Sequence, residues 1–371
     1  MQKKILLNLI IPNGGGPAFT FGLAKGLKAN GCEVFFVLSD KLIGREKWEE
    51  EFGREHIFYV VTHTSVKNLI PRYAKFLLKT KRELKTKFKG IQFDAVIHTM
   101  YHSWNDDVQK CVKAKRILAV NHDPLPHSGV KQRRGERCIA YYNRIPELII
   151  LSKAFEEILV REFGRDKKTI HYMPHGRMDS YNTDKPVHGI VGRDETKTNF
   201  LFFGFIVEYK GLSVLAKAYK KVAAKNPNVS LTIAANGDFS PYAEDYRDLP
   251  NFLLVNEYIP DEEIPSYFSM PNAVAVLPYL DATQSGVIPI AMEHGVPVVA
   301  TKTGGLVEQL DDGKIGILCE AKDADSLAAA MLTIAEDKAE YARQSALMRG
   351  YLKKLDWEYV AKGLLDKLEL E

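Results

Sequence analysis

Four short stretches hold side chains whose types and spacing could do chemistry. Thr283-Gln284-Ser285-Gly286 is a polar turn between the apolar run Ala273-Val274-Ala275-Val276-Leu277 and a short helical stretch. The first amides of a helix lack internal partners and its dipole is positive at that end, so the amides of Ser285, Gly286 and Val287 are placed to receive a phosphate. Gly14-Gly15-Gly16 follows the first apolar run. Those glycines either let the backbone pass close to a ligand or simply make a tight strand-to-helix turn. The spacing is not G-x-G-x-x-G, so no dinucleotide cofactor is read into it. His122-Asp123-Pro124-Leu125-Pro126-His127 closes another strand, and its prolines fix the loop from which both histidines project. His122 and Asp123 could suggest a general-base pair. Consecutive strand residues point to opposite sides, so the two are not expected to touch. The plainer alternative is one histidine capping the strand and the other facing solvent. Finally, residues 67–89 carry nine Lys/Arg against Glu83 alone, with Leu69, Ile70, Tyr73, Phe76, Leu77, Leu84 and Phe88 at roughly helical spacing. Such a segment is either a surface helix packed on its own domain or one that also lies on an anionic membrane.

The elements that must position these residues alternate strand and helix. At 371 residues two domains are expected. In the first, strands are predicted at Lys4–Ile11, Glu33–Leu38, Ile57–Val61, Phe93–His98, Arg116–Val120, Leu148–Leu151 and Thr169–Met173, with a helix over Ser152–Phe163. Met1–Ile11 has the basic start of a signal peptide, but the apolar run is short and Asn8 interrupts it, so it reads as a strand. In the second domain, Thr198–Gly204, Leu231–Ala235, Phe252–Val255, Ala273–Leu277 and Val296–Ala300 are strand-like. The continuous apolar runs are those of parallel sheets covered on both faces. Asp261 is expected to cap a helix reaching Phe268. Residues 186–196 read as linker, and Trp357–Leu368 as a last amphipathic helix. The only Asp-x-Asp, Asp323-Ala324-Asp325, precedes a helix and reads as a cap, not a metal site.

Charge is uneven. Residues 1–190 hold 33 Lys/Arg and 20 Asp/Glu, whereas the remainder holds 18 and 27. The N-terminal half therefore suits an anionic partner. Without an interleaved stacking or recognition module, nucleic acid is not that partner. Cys32, Cys111, Cys138 and Cys319 are far apart, indicating neither zinc nor disulfides and fitting a reducing cytoplasm.

The combination Pro278-Tyr279, Ala282-Thr283-Gln284-Ser285-Gly286, Gly295-Val296-Pro297-Val298-Val299-Ala300-Thr301 and Gly304-Gly305 with Glu308 resembles the retaining family 4 glycosyltransferases, in the branch carrying an Ala-Thr-Gln-Ser-Gly segment. The resemblance implies the GT-B fold: α/β, with two Rossmann-like domains whose parallel sheets face across a cleft. It places an acceptor-side domain at 1–185, a nucleotide-sugar domain at 197–355 and a terminal helix, 356–371, returning to the first domain. It implies donor contacts from Gly15, Gly16, Gly204, Lys210, Asn236, Gln284, Ser285, Gly286, Val287 and Glu308, with Lys210 on the diphosphate. His122 would lie beside the donor sugar, and Asp123 and His127 on the acceptor side. Two departures stand out. Phe205 occupies a position where the family has Arg, and the family's pair of glutamates is absent, since the two alignments place Ala282 with Ile290 or Thr283 with Ala291.

The implied reaction moves a sugar from a nucleoside diphosphate sugar, UDP-sugar being favoured, to a hydroxyl of a glycan or lipid-linked acceptor in cell-surface polysaccharide or glycolipid assembly. No cofactor and no metal are implied, and the place would be the cytoplasm or the inner face of its membrane. Two other readings fit the same residues: a nucleotide-sugar epimerase or phosphorylase on this fold, or a non-catalytic sugar-nucleotide or membrane-binding protein.

Overall fold

The computed structural model describes residues 2–62, 69–125, 132–178 and 194–370. These form two compact units, each an α/β layer structure. The first comprises Met1–Pro124, Arg133–Gly176 and Leu355–Glu371, and the second is built on Arg177–Lys354. Of the expected linker, only residues 194–196 fall within the described residues.

The first unit is a parallel sheet of Lys4–Leu9 (β1), Glu33–Ser39 (β2), Ile57–Val60 (β3), Gln92–His98 (β4), Lys113–Asn121 (β5), Glu147–Ile150 (β6) and Ile170–Tyr172 (β7), in the order β3-β2-β1-β4-β5-β6-β7. Alternation along β1 divides the core. Ile5, Leu7 and Leu9 join Phe19, Leu23, Phe36 and Trp48 on one face, while Leu6 and Ile10 join Phe35, Phe76, Phe93 and Trp104 on the other. The chain leaves β1 towards β3 and returns on the other side as β4. The β1/β4 junction is thus a topological switch point, where the carboxyl ends of the strands leave a crevice.

The helix Trp357–Lys367 belongs to this unit and lies along the helix Gly15–Ala29. The contact depends on missing side chains. A Cβ at Gly22 or Gly176 would enter the Trp357 indole, and one at Gly26 would meet the Trp357 carbonyl. Trp357 fills this cradle at 4% exposure, with its ring edge-on to Phe19 at 5.3 Å between centroids.

The second unit has Thr198–Ile206 (β8), Val229–Gly237 (β9), Phe252–Val255 (β10), Ala273–Leu277 (β11), Val298–Thr301 (β12) and Ile317–Cys319 (β13), all parallel, in the order β10-β9-β8-β11-β12-β13. Its switch point lies between β8 and β11.

Some boundaries differ from expectation. The helix expected over 152–163 is a 3-10 turn, Lys153–Phe155, capped by the Ser152 hydroxyl, followed by the helix Glu156–Arg161. Asp261 is not the cap of its helix. Pro260 precedes the 3-10 turn Asp261–Glu263, so Asp261 contributes its charge from the first turn.

Candidate functional site

In the second unit the loops that follow β8 and β11 meet at the switch point. The Leu280 N–H donates to the Tyr209 carbonyl at 2.6 Å. Gly211, at φ +72°, lies so close to the Pro278 carbonyl that no Cβ would fit. Lys210 is buried in this junction, with Nζ 5.2 Å from the Tyr279 ring centre and 6.0 Å from that of Phe202. Gly204 makes room for it, since a Cβ there would come within 2.7 Å of Nζ. Among the described residues no carboxylate pairs with Lys210, and burial pulls its ammonium down to about 8. The hydroxyl of Tyr279 stands 3.3 Å from Ser285 Oγ, and burial pushes it up to about 12, so it stays protonated. Lys210, Tyr279 and Ser285 thus stand in sequence at the carboxyl end of the sheet, the ammonium against the Tyr279 ring and the Tyr279 hydroxyl beside Ser285.

The turn ahead of the helix Val287–His294 is more occupied than the sequence implied. The Ser285 N–H donates to Gln309 Oε1 at 2.8 Å, and Gln309 Nε2 donates back to the Ser285 carbonyl at 3.0 Å. The Val287 N–H donates to Ser285 Oγ at 3.2 Å. The expectation of open amides at Ser285, Gly286 and Val287 is thus corrected for Ser285 and Val287, because a side-chain amide and a hydroxyl supply the partners that a helix start lacks. Gln284 holds a buried Oε1 without a hydrogen-bond partner among the described residues. Gln309 was not legible as a site residue. Its only signal was its place at the end of the short helix that Gly304-Gly305 opens.

The remaining donor-side residues are spread out. Glu308 is half-buried, and Asn236 lies at the exposed end of β9 beside Phe205, which is 55% exposed. Glu293, the other carboxylate near the turn, is held by Arg177 in a bidentate pair at 2.8 and 2.7 Å, which gives it a structural role. Asp323 caps the helix Ala324–Glu336 through the amides of Asp325 and Ser326, and Asp325 pairs with Lys221. Among the described residues no three His, Cys, Asp or Glu side chains are grouped to hold a metal.

In the first unit the loops after β1, β4 and β5 carry a second polar cluster. Gly14 is the glycine whose backbone demands it, at φ +78°, whereas Gly16 is held by packing, a Cβ there falling 2.9 Å from Met100 Cγ. A Cβ on Gly15 would meet nothing within 4 Å. The Thr20 hydroxyl bridges the Gly16 carbonyl and Thr99 Oγ1, both at 2.8 Å. His122 Nε2 lies 2.9 Å from the Thr99 carbonyl. A carbonyl only accepts, so Nε2 carries the proton and Nδ1 of the neutral ring keeps a lone pair. Burial lowers the His122 pKa, favouring that neutral ring. Phe19 sets the ring edge-on, at 5.0 Å from His122 and 5.2 Å from His175. Asp123 is exposed, and His127 lies outside the described residues.

Beneath this cluster is a network that the sequence reading missed. Asn8 Nδ2 reaches His98 Nδ1 at 2.8 Å and Asn105 Oδ1 at 2.9 Å. Asn105 Nδ2 donates to the Tyr141 hydroxyl at 3.1 Å. Burial takes His98 down to about 4, so it is a neutral acceptor that fixes the ends of β1 and β4.

Two parallel-sheet Rossmann-like units, each with polar loops at its switch point, define the class: a GT-B fold. The family comparisons agree. Residues 13–177 match the family described as Glycosyltransferase Family 4, and residues 197–337 that described as Glycosyl transferases group 1, so both units are glycosyltransferase domains. A phosphatidyl-myo-inositol mannosyltransferase of Mycolicibacterium smegmatis is 28% identical over 227 residues, 61% of this chain and 57% of the relative. A D-inositol 3-phosphate glycosyltransferase of Corynebacterium kroppenstedtii is 24% identical over 63% of this chain. The chain spans 57% of the length of each of these relatives. An uncharacterized glycosyltransferase of Methanocaldococcus jannaschii is 27% identical over 94% of this chain and 92% of its own length. Among solved structures, Anabaena HepE in complex with UDP and glucose aligns with TM-score 0.70 at 17% identity, covering 99% of this chain and all of that one, a likeness of fold.

Proposed function

We propose that this chain is a glycosyltransferase moving a sugar from a nucleoside diphosphate sugar to a hydroxyl of an anionic glycan or lipid-linked acceptor, with retention of configuration as the family resemblance implies. The observation that carries the reading is Lys210, a buried ammonium without a carboxylate partner among the described residues at the switch point of the second sheet. An uncompensated buried charge is costly, and it persists where an anion is meant to complete it. The diphosphate would take that place, with the Tyr279 hydroxyl and the Gln309-braced turn beside it. As the sugar–phosphate bond breaks, the ammonium stabilises the charge gathering on the leaving diphosphate. The relatives whose names mention inositol lipids and inositol phosphate support an anionic acceptor, as does the basic N-terminal half.

Thermal melts with UDP, GDP, ADP and CMP, each with and without EDTA, test this reading. A nucleotide at 100 times its Kd stabilises by about 2.7 kcal/mol, and each kcal/mol moves the melt by roughly 2–4 °C at this domain size. One diphosphate is expected to give a shift that survives EDTA. No shift with any nucleotide or with intact nucleotide sugars would sink the proposal.

His122 would orient the donor sugar by accepting a hydrogen bond from a sugar hydroxyl at Nδ1. His122→Ala is therefore expected to leave nucleotide affinity within about twofold while lowering transfer on the order of 100-fold, the usual penalty for a misplaced reactant. Equal losses in both would make His122 a structural residue.

A further inference from the structure

We propose that the outer face of residues 72–89 is a docking surface for an anionic lipid membrane, with Leu77 and Leu78 entering the interface. The proposal does not depend on turnover. The segment's inner row is Phe76, Thr80, Leu84 and Phe88, four residues apart and all buried. Phe76 stacks on Trp104 at 4.9 Å between ring centres, and Phe88 meets Phe93 at 5.6 Å. That row fully anchors the segment to its own unit. A merely structural helix would then carry polar residues on the opposite face. Instead, Leu78 is 83% exposed and Leu77 42%. Both lie in a five-residue π-helical stretch, Phe76–Thr80, whose wider turn sets them outside the inner row.

The surroundings of the two leucines identify the partner. Lys75, Lys79, Arg82, Lys85, Lys87 and Lys89 are all exposed. The one acid of the segment, Glu83, is 3.7 Å from Lys79. A shallow groove of about 590 Å³ is lined by Leu77, Lys81, Arg82, Lys85, Thr86 and Lys89, without a carboxylate. A second, of about 600 Å³, shares Arg82 and Thr86 and takes in Leu78, Lys79 and Lys87, with Glu83 as its one acid. Apolar tips beside a groove lined by Lys81, Arg82, Lys85 and Lys89 match a bilayer surface, where leucines enter the acyl boundary and basic groups meet headgroup phosphates. A nucleic acid would use the charge but leave the leucines in water. The aromatics that could stack on bases are committed elsewhere: Phe76 and Phe88 are buried, and the Tyr73 hydroxyl is bonded to Asp107 at 2.9 Å. Among the described residues no helix is long and apolar enough to cross a membrane, so attachment of this kind would be peripheral.

Flotation of the full chain with phosphatidylglycerol–phosphatidylcholine vesicles, against phosphatidylcholine alone, tests this. Binding is expected only with the anionic lipid and should weaken with salt. Each basic residue near the surface contributes roughly fivefold, so combined Arg82→Glu, Lys85→Glu and Lys89→Glu should lower partitioning about 100-fold. Leu78→Glu should weaken it further, and a Leu78→Trp variant should shift its emission to the blue and be quenched by brominated lipid. All these positions are exposed, so unchanged melting temperatures verify that the variants fold. Failure of the wild-type chain to float, or a triple variant that floats equally well, would overturn the proposal. So would an unshifted emission from Leu78→Trp, or heparin binding without lipid binding.

Discussion

Lys210→Met is expected to abolish recognition of the nucleoside diphosphate while making the protein more resistant to heat. Both effects have one cause. The ammonium is buried among Phe202, Tyr279 and the backbone of two loops, and its pKa falls from 10.5 to about 8. At about 1.4 kcal/mol per pKa unit, keeping it charged at neutral pH costs the free protein about 3 kcal/mol. Met fills a similar volume without that charge, so calorimetry should show the melt rising by roughly 5 °C or more, given about 2–4 °C per kcal/mol. Affinity for the diphosphate should fall by at least about 100-fold, as expected when a charge-assisted contact to phosphate is lost. The pH dependence has a definite sign. Because the folded pKa lies below the unfolded one, the unfolded chain holds the proton between about pH 8 and 10.5. Wild-type stability therefore gains relative to the variant as pH rises through that window. Diphosphate affinity moves the opposite way, since the ligand needs the protonated lysine, and a terminal phosphate with its pKa near 6 is already fully ionised there. A less stable Lys210→Met variant would mean that the ammonium is structurally satisfied in the free protein, and the assigned anion site would fall with it.

How much of this was legible in the sequence depended on where the determining contacts lie. Continuous apolar runs such as Ala273–Leu277 announce a buried parallel strand, because both faces must be apolar. The polar turn at 283–286 and the junction at Lys210-Gly211 were visible as local patterns. Their occupancy was not, because Gln309 reaches Ser285 from a helix 24 residues away and nothing in its surroundings marks it. In the sequence Asn8 is only an interruption of an apolar run. Its reason is His98, 90 residues on and adjacent only because β1 pairs with β4. The basic segment shows the same limit. Helical spacing alone grouped Leu77 with Phe76, Leu84 and Phe88, but the π-helical stretch separates it from them and turns it outward with Leu78. In the glycine loop the residue whose backbone angle requires glycine is Gly14, and Gly16 is required by its packing on Met100; neither a backbone angle nor a contact with a residue 84 positions away is visible in a run of three glycines.

Trp357→Ala is expected to unfold the first unit selectively. Deleting a fully buried Trp typically costs about 3–5 kcal/mol, through lost transfer energy and the cavity that remains. Here the surroundings cannot close over that cavity by moving side chains inward, because Gly22, Gly26 and Gly176 have none to move. The helix Trp357–Lys367 would keep Val360, Ala361, Leu364 and Leu365 against its neighbours but lose the residue at its start. The loss also reaches the candidate site. Phe19 is held on one side by the Trp357 ring at 5.3 Å and on the other meets His122 at 5.0 Å and His175 at 5.2 Å. A freed Phe19 should loosen the His122 ring. Transfer is therefore expected to fall even at temperatures where the variant remains folded, while UDP binding in the second unit persists. Urea titration followed by circular dichroism, with the nucleotide-induced melt shift measured in parallel, separates these effects. Gly22→Ala should reproduce the destabilisation from the opposite side of the contact, since its methyl group competes for the indole's space. If Trp357→Ala melted as the wild type does, or lost nucleotide binding in step with its fold, the cradle would not be what secures the terminal helix to the first unit.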